Sequence, residues 1–169
     1  MERILSAIRS FDGVLELAPQ PGSEHPEISW GDHFFYFAPD GQVPNNRQPY
    51  ATIVTKNYPD DDDSRLDAPD RWRLNIHVGT KAAAELLRRA PEDMGDSEVD
   101  HGAVDHGAVD HGAADVFLPH PLYGAYGWVC VVNPAGSTLD RALEALRSAH
   151  RDDRRRVERR RGHDSAVDA

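Results

Sequence analysis

The segment Arg71-Trp72-Arg73-Leu74-Asn75-Ile76-His77-Val78 alternates without exception between polar and apolar side chains. A period of two over eight residues specifies a β-strand, because successive side chains on a strand point to opposite faces. Trp72, Leu74, Ile76 and Val78 form a face that must be buried. Arg71, Arg73, Asn75 and His77 form a polar one. Such a strand belongs in a sheet with one packed and one wet side, which is the habit of antiparallel sheets.

The other segments supply its neighbours. Ile4, Leu5, Ile8 and Phe11 share one helix face, and Asp12-Gly13 ends that helix. Residues 14–17, 33–38, 50–56 and 127–133 are apolar, aromatic or β-branched and read as strands. Thr80 is placed to cap an Ala/Leu-rich helix over 81–90. Ser137 or Thr138 is placed to cap a last helix carrying Leu139, Leu143 and Leu146. Together these predict one α+β domain over residues 1–150. Its antiparallel sheet has about five strands, with N-terminal, middle and C-terminal helices packed on it.

Two segments read as lying outside that domain. Val-Asp-His-Gly-Ala occurs three times between residues 99 and 113. The repeat has no period that buries a face, and a glycine every fifth residue disfavours helix. Residues 91–115 are therefore expected to form a disordered insert. Residues 151–169 hold seven Arg against five acids and read as a charged tail, a solvated helix that frays. The whole chain has a net charge of -10, so residues 1–150 carry -12. A body this acidic repels phosphate backbones, which leaves the Arg-rich tail as the place for nucleic-acid contact.

The single cysteine, Cys130, permits no intrachain disulfide, and its apolar flanks predict a buried strand thiol. The N-terminal segment lacks the continuous apolar run of a signal peptide, and no stretch approaches the roughly 20 apolar residues of a membrane span. The expected compartment is the cytoplasm.

Several motifs recur in a recognisable order: Trp30-Gly31-Asp32, Phe34-Phe35-Tyr36, Thr52-Ile53-Val54-Thr55-Lys56, Trp72 to Gly79, and Leu118-Pro119-His120-Pro121-Leu122-Tyr123-Gly124 before Gly127-Trp128-Val129. In these the chain resembles an uncharacterised family of small actinobacterial proteins classed as a domain of unknown function. More loosely, it resembles MmcQ/YjbR-like proteins, which implies a compact α+β topology. DNA binding has been suggested for that group, and the acidic body here departs from it. Neither resemblance implies catalytic residues.

Candidate site residues come from the polar strand face. Arg71, Arg73, Asn75 and His77, with Lys56 and Thr52 from a neighbouring strand, would make a cationic platform for a small anionic ligand or a carboxylate-bearing protein partner. The plainer reading is an exposed sheet face paired with the domain's own acids. His77 and His120 are the acid/base candidates, with Asp32, Lys56 or Tyr123 beside them. Trp30 completes the binding candidates. His101, His106 and His111 are weak metal candidates, and Asp60 to Asp63 read as a solvated acidic loop. No phosphate-binding, dinucleotide, nucleophile-elbow or zinc motif is present, and no cofactor is expected. The leading expectation is a non-enzymatic binding or interaction module. The alternatives are a small enzyme using His77 and His120 on an anionic small molecule and, more weakly, nucleic-acid binding through the tail.

Overall fold

A computed structural model describes residues 1–88 and 109–167. Helix α1 (Glu2–Arg9) leads into β1 (Val14–Leu17), β2 (His33–Phe37), β3 (Ala51–Val54) and β4 (Arg73–His77). Helix α2 (Thr80–Arg88) follows, then β5 (Leu118–Pro119), β6 (Trp128–Val132) and α3 (Gly136–Val167). The strands form one antiparallel sheet in the order β1-β2-β3-β4-β6-β5. The expected α+β architecture is present. The sixth strand is the two-residue β5, too short to carry a periodic signal.

The alternating segment does what its pattern requires. Leu74 and Ile76 turn to the helical side, where they meet Phe35, Ala51, Ile53, Val129 and Val131 in one core. Ile4, Leu5 and Ile8 of α1 and Ala142, Leu146 and Ala149 of α3 cover that core. The opposite side carries a row of paired residues, Phe34, Thr52, Asn75 and Cys130, with Val54, Arg73 and Val132 in a parallel row.

Some local expectations need correction. Thr80 is the first residue of α2 rather than a residue before it. The start of α3 is held by Asp115, whose carboxylate accepts from the Ala135 N–H at 2.7 Å. The Thr138 hydroxyl donates to the Asp115 carbonyl instead of capping. Residues 109–115, placed in the disordered insert by the sequence, belong to the fold. Ala114 bridges to Val132, and Gly112 accepts a hydrogen bond from Arg71 at 2.7 Å. The first two repeat copies, with His101 and His106, lie outside the described residues.

The tail is also integrated. Helix α3 runs unbroken through the Arg-rich stretch, and His150, Asp153 and Val157 are buried. Asp153 accepts from the Phe37 N–H at 3.0 Å and from Arg47 at 2.9 Å, which ties the helix to β2. Among the described residues no helix is long and apolar enough to cross a membrane.

Gly127 closes the domain at one point that admits no other residue. Its φ is +81°, and a Cβ there would lie 2.5 Å from the Gly79 backbone. Its carbonyl accepts from both the Val78 and Gly79 N–H groups. Replacing Ile76, fully buried, with Ala should cost about 2–5 kcal/mol in denaturant unfolding, against less than about 0.5 kcal/mol for Leu122→Ala at the surface. Equal costs would contradict the assignment of faces.

Candidate functional site

The polar face of β4 is not open. The loop between β3 and β4 folds back across it, and Arg73 ends up 2% exposed beneath that loop. A charge taken this far from water needs a partner. Residues 58–61 form a tight turn in which Tyr58 and Asp61 exchange backbone hydrogen bonds, and the turn aims Asp61 at Arg73. The guanidinium donates to both oxygens of Asp61, with Nη1 to Oδ1 at 2.8 Å, and to the Ser64 hydroxyl at 2.8 Å. Burial opposes ionisation of Asp61, yet Arg73 outweighs it and holds the carboxyl below its ordinary value. The acidic run is therefore not uniformly solvated. Asp60, Asp62 and Asp63 are exposed, whereas Asp61 is the counterion of the sheet.

His120 stands beside this pair. It lies in the loop after β5, and its Nδ1 accepts from the Leu122 and Tyr123 N–H groups at 3.2 and 3.3 Å. Two donors on Nδ1 place the proton on Nε2. Nε2 lies 3.5 Å from Arg73 Nη2 and 4.0 Å from Asp61 Oδ2. The nearer neighbour is itself a donor, so the Nε2–H has no good acceptor there. Burial first, then Arg73, lowers His120 to about 4, so the ring is neutral at pH 7.

These groups floor a cavity of about 610 Å³. Thr52, Asn75, Arg73 and His120 line its base. Phe34, Tyr58, Trp128 and the exposed Leu122, Tyr123 and Tyr126 line its walls and mouth. Such a volume, with apolar walls and few polar groups, is that of a small-molecule site. Asn75 is 2% exposed and donates to the Thr52 hydroxyl at 2.9 Å, while its Oδ1 has no partner. Exchanging the amide's O and N would still leave one end unpaired. A buried polar atom without a partner costs about 1–3 kcal/mol, so its position over a cavity points to a ligand group.

The other sequence candidates are distributed elsewhere. Arg71 donates to the Ser64 and Gly112 carbonyls. Lys56 donates to the Trp30 carbonyl and lies 3.4 Å from Asp32. Asp32 is fully buried and accepts from Thr55 and from the Tyr58 hydroxyl at 2.6 Å. The Trp30 indole donates to the His25 carbonyl. These four brace the loop and do not line the cavity. Tyr123 does line it and packs on His120, with ring centroids 5.0 Å apart.

His77 and His120 do not converge. His77 donates through Nε2 to the Tyr126 carbonyl and accepts from Arg156 on Nδ1, each at 3.2 Å. Both imidazoles touch Trp128, at centroid distances of 5.4 and 6.3 Å, and no hydrogen bond joins them. His111 bonds the Pro119 carbonyl. Among the described residues no cluster of His, Cys, Asp and Glu is arranged to hold a metal. Cys130 is buried, and burial pushes its thiol up to about 12, so it stays protonated. Asp61 and the wall residues Phe34, Tyr58, Leu122, Tyr126 and Trp128 are site residues that sequence reasoning missed. Asp61 carried no local mark that set it apart from its three acidic neighbours.

The lowered His120 gives a pH prediction. An unfolded His titrates near 6.5. Between about 6.5 and 4 the unfolded chain holds a proton that the folded chain excludes. Stability is therefore fully present above about pH 6.5 and falls by roughly 3 kcal/mol as pH drops towards 4. Denaturant melts across that range should show the slope, and His120→Gln should make it shallower, leaving the part due to His77 and His150, which burial also lowers. Identical slopes would contradict the assignment.

A family model described as a family of unknown function, DUF6194, matches residues 1–162. That span includes the β3–β4 loop, the His120 loop and the Arg-rich part of α3. No curated protein and no solved structure matches the chain. The chain belongs to the DUF6194 family, a family of unknown function.

Proposed function

We propose that this protein is a binding module for a small organic molecule with an aromatic or otherwise flat apolar body. The observation that carries this reading is the aromatic-walled cavity with an unpartnered Asn75 amide atom in its floor. Six aromatic or apolar side chains supply the contact area. The floor supplies polar groups that fix orientation, the Asn75 acceptor and the His120 Nε2–H donor. This division of labour is typical of ligand pockets.

The chemistry of the floor favours recognition over catalysis. The charge of Arg73 is matched by Asp61, so the pair contributes little net field. His120 has its Nδ1 lone pair committed to two backbone donors and carries its proton on Nε2. A general base needs a free lone pair and a pKa near the working pH. His120 has neither, whereas a neutral, fixed N–H donor suits binding. His77, the second member of the acid/base alternative, has both ring nitrogens engaged outside this cavity.

The test is a screen of aromatic fragments by ligand-observed NMR on the full chain. Fragments should bind at about millimolar affinity or better, as expected for small ligands in a preformed pocket. Asn75→Leu should weaken those with a polar group at least several-fold while leaving the fold intact by circular dichroism. A screen without hits, or hits indifferent to Asn75→Leu and Tyr123→Ala, would overturn the reading.

A further inference from the structure

The main cavity has smaller neighbours beyond Trp128. Gln48, Pro49 and Trp128 line it on one side and a second, smaller cavity of about 200 Å³ on the other. That smaller space is bounded by His77, Arg47, Arg156 and Arg160. A further recess of about 300 Å³, again sharing His77 and Arg156, adds Arg155 and Arg159.

The charge here is the reverse of the rest of the body. Five guanidiniums and two carboxylates, Asp152 and Asp153, line the two recesses. Asp153 lies 2.9 Å from Arg47 and 3.6 Å from Arg156, and Asp152 lies 3.5 Å from Arg155. Arg159 and Arg160 have no hydrogen bond or ion pair among the described residues. The Arg156 Nε is buried and unpartnered. His77 is neutral, since burial and then Arg156 lower its pKa, and its Nδ1 accepts from Arg156 and holds that guanidinium in place. Among the described residues five guanidiniums face two carboxylates around this concavity, an excess of positive charge that draws anions.

We infer that the Arg-rich face of α3 and His77 form an anion subsite of the main pocket, and that the ligand is an organic anion. Its apolar body lies against Trp128 and its phosphate or carboxylate group lies among Arg155, Arg156, Arg159 and Arg160. This rests on reading the main cavity as a ligand site and adds the charge of the ligand. Guanidiniums suit such a group because their N–H pairs match its oxygens bidentately. The Arg-rich stretch is thus a wall of the site as well as a helix end.

Three probes test this on the full chain by NMR titration at low and moderate salt: 1-naphthol, 1-naphthyl phosphate and inorganic phosphate. The phosphate ester should bind at least about tenfold more tightly than naphthol, with an advantage that shrinks as salt rises. The double variant Arg159→Gln/Arg160→Gln should remove most of that advantage and leave naphthol binding unchanged. Among the described residues neither side chain has a hydrogen bond or ion pair to lose. Equal affinity for naphthol and its phosphate, or an advantage untouched by the double variant, would overturn the subsite while leaving the pocket standing. An ester that binds no better than inorganic phosphate would overturn the pocket reading and, with it, the two-part ligand. Binding by none of the three would overturn both.

Discussion

A single ion pair, Arg73 with Asp61, decides how the wet side of this sheet is used. A guanidinium 2% exposed in the middle of a sheet is tolerable only when paired and hydrogen-bonded. Asp61 and Ser64, both from the loop between β3 and β4, pair its two terminal nitrogens, while its Nε has no partner among the described residues. Satisfying Arg73 therefore draws the loop down over the sheet. Leu66 and Tyr58 follow it and pack on Val54 and Val132. Asp32, held by Thr55, Lys56 and the Tyr58 hydroxyl, braces the loop from its other end. The cavity lies between this closed loop and the His120 loop, so its floor and one wall are consequences of the same pairing.

The site has two electrostatic zones. Around Arg73, Asp61 and His120 the charges cancel and the groups are immobilised, which suits hydrogen-bond recognition. Around His77 and α3 cation exceeds anion, although the chain as a whole is at -10. Trp128 contacts both His77 and His120 and lines a cavity in each zone. The Gly79–Gly127 contact anchors this junction, because it fixes the end of β4 against the turn that enters β6.

Much of the fold was legible because it follows periodicity. The strict alternation from Arg71 to Val78 identified both faces of β4, and the apolar helix stripes identified what packs on one of them. The site was less legible because its contacts join distant residues. Arg73 was singled out as an exposed cation, but its partner Asp61 looks like any member of an acidic run. The third Val-Asp-His-Gly-Ala copy has the same sequence as the other two. Nothing in its sequence announces that Arg65 and Arg71 reach it, at Asp110 and Gly112, or that its His111 bonds the Pro119 carbonyl. Beyond His150 the buried stripe of α3 continues through Asp153 and Val157, but Asp153 is polar, so a hydrophobic period breaks there. The helix docks instead through the Phe37 N–H and Arg47. His77 and His120 were acid/base candidates by residue type alone, and each is held by its own partners, Tyr126 and Arg156 for the first and the Leu122 and Tyr123 N–H groups for the second.

The most direct measurement is a double-mutant cycle on Arg73→Met and Asp61→Leu, followed by denaturant unfolding. Each single change strands a buried charge and should cost about 3–5 kcal/mol. The double change removes both charges and should cost less than the sum of the singles by at least about 1 kcal/mol. That coupling would establish that the pair holds the loop over the sheet and shapes the pocket. Additive costs, or singles no worse than surface substitutions, would contradict the account.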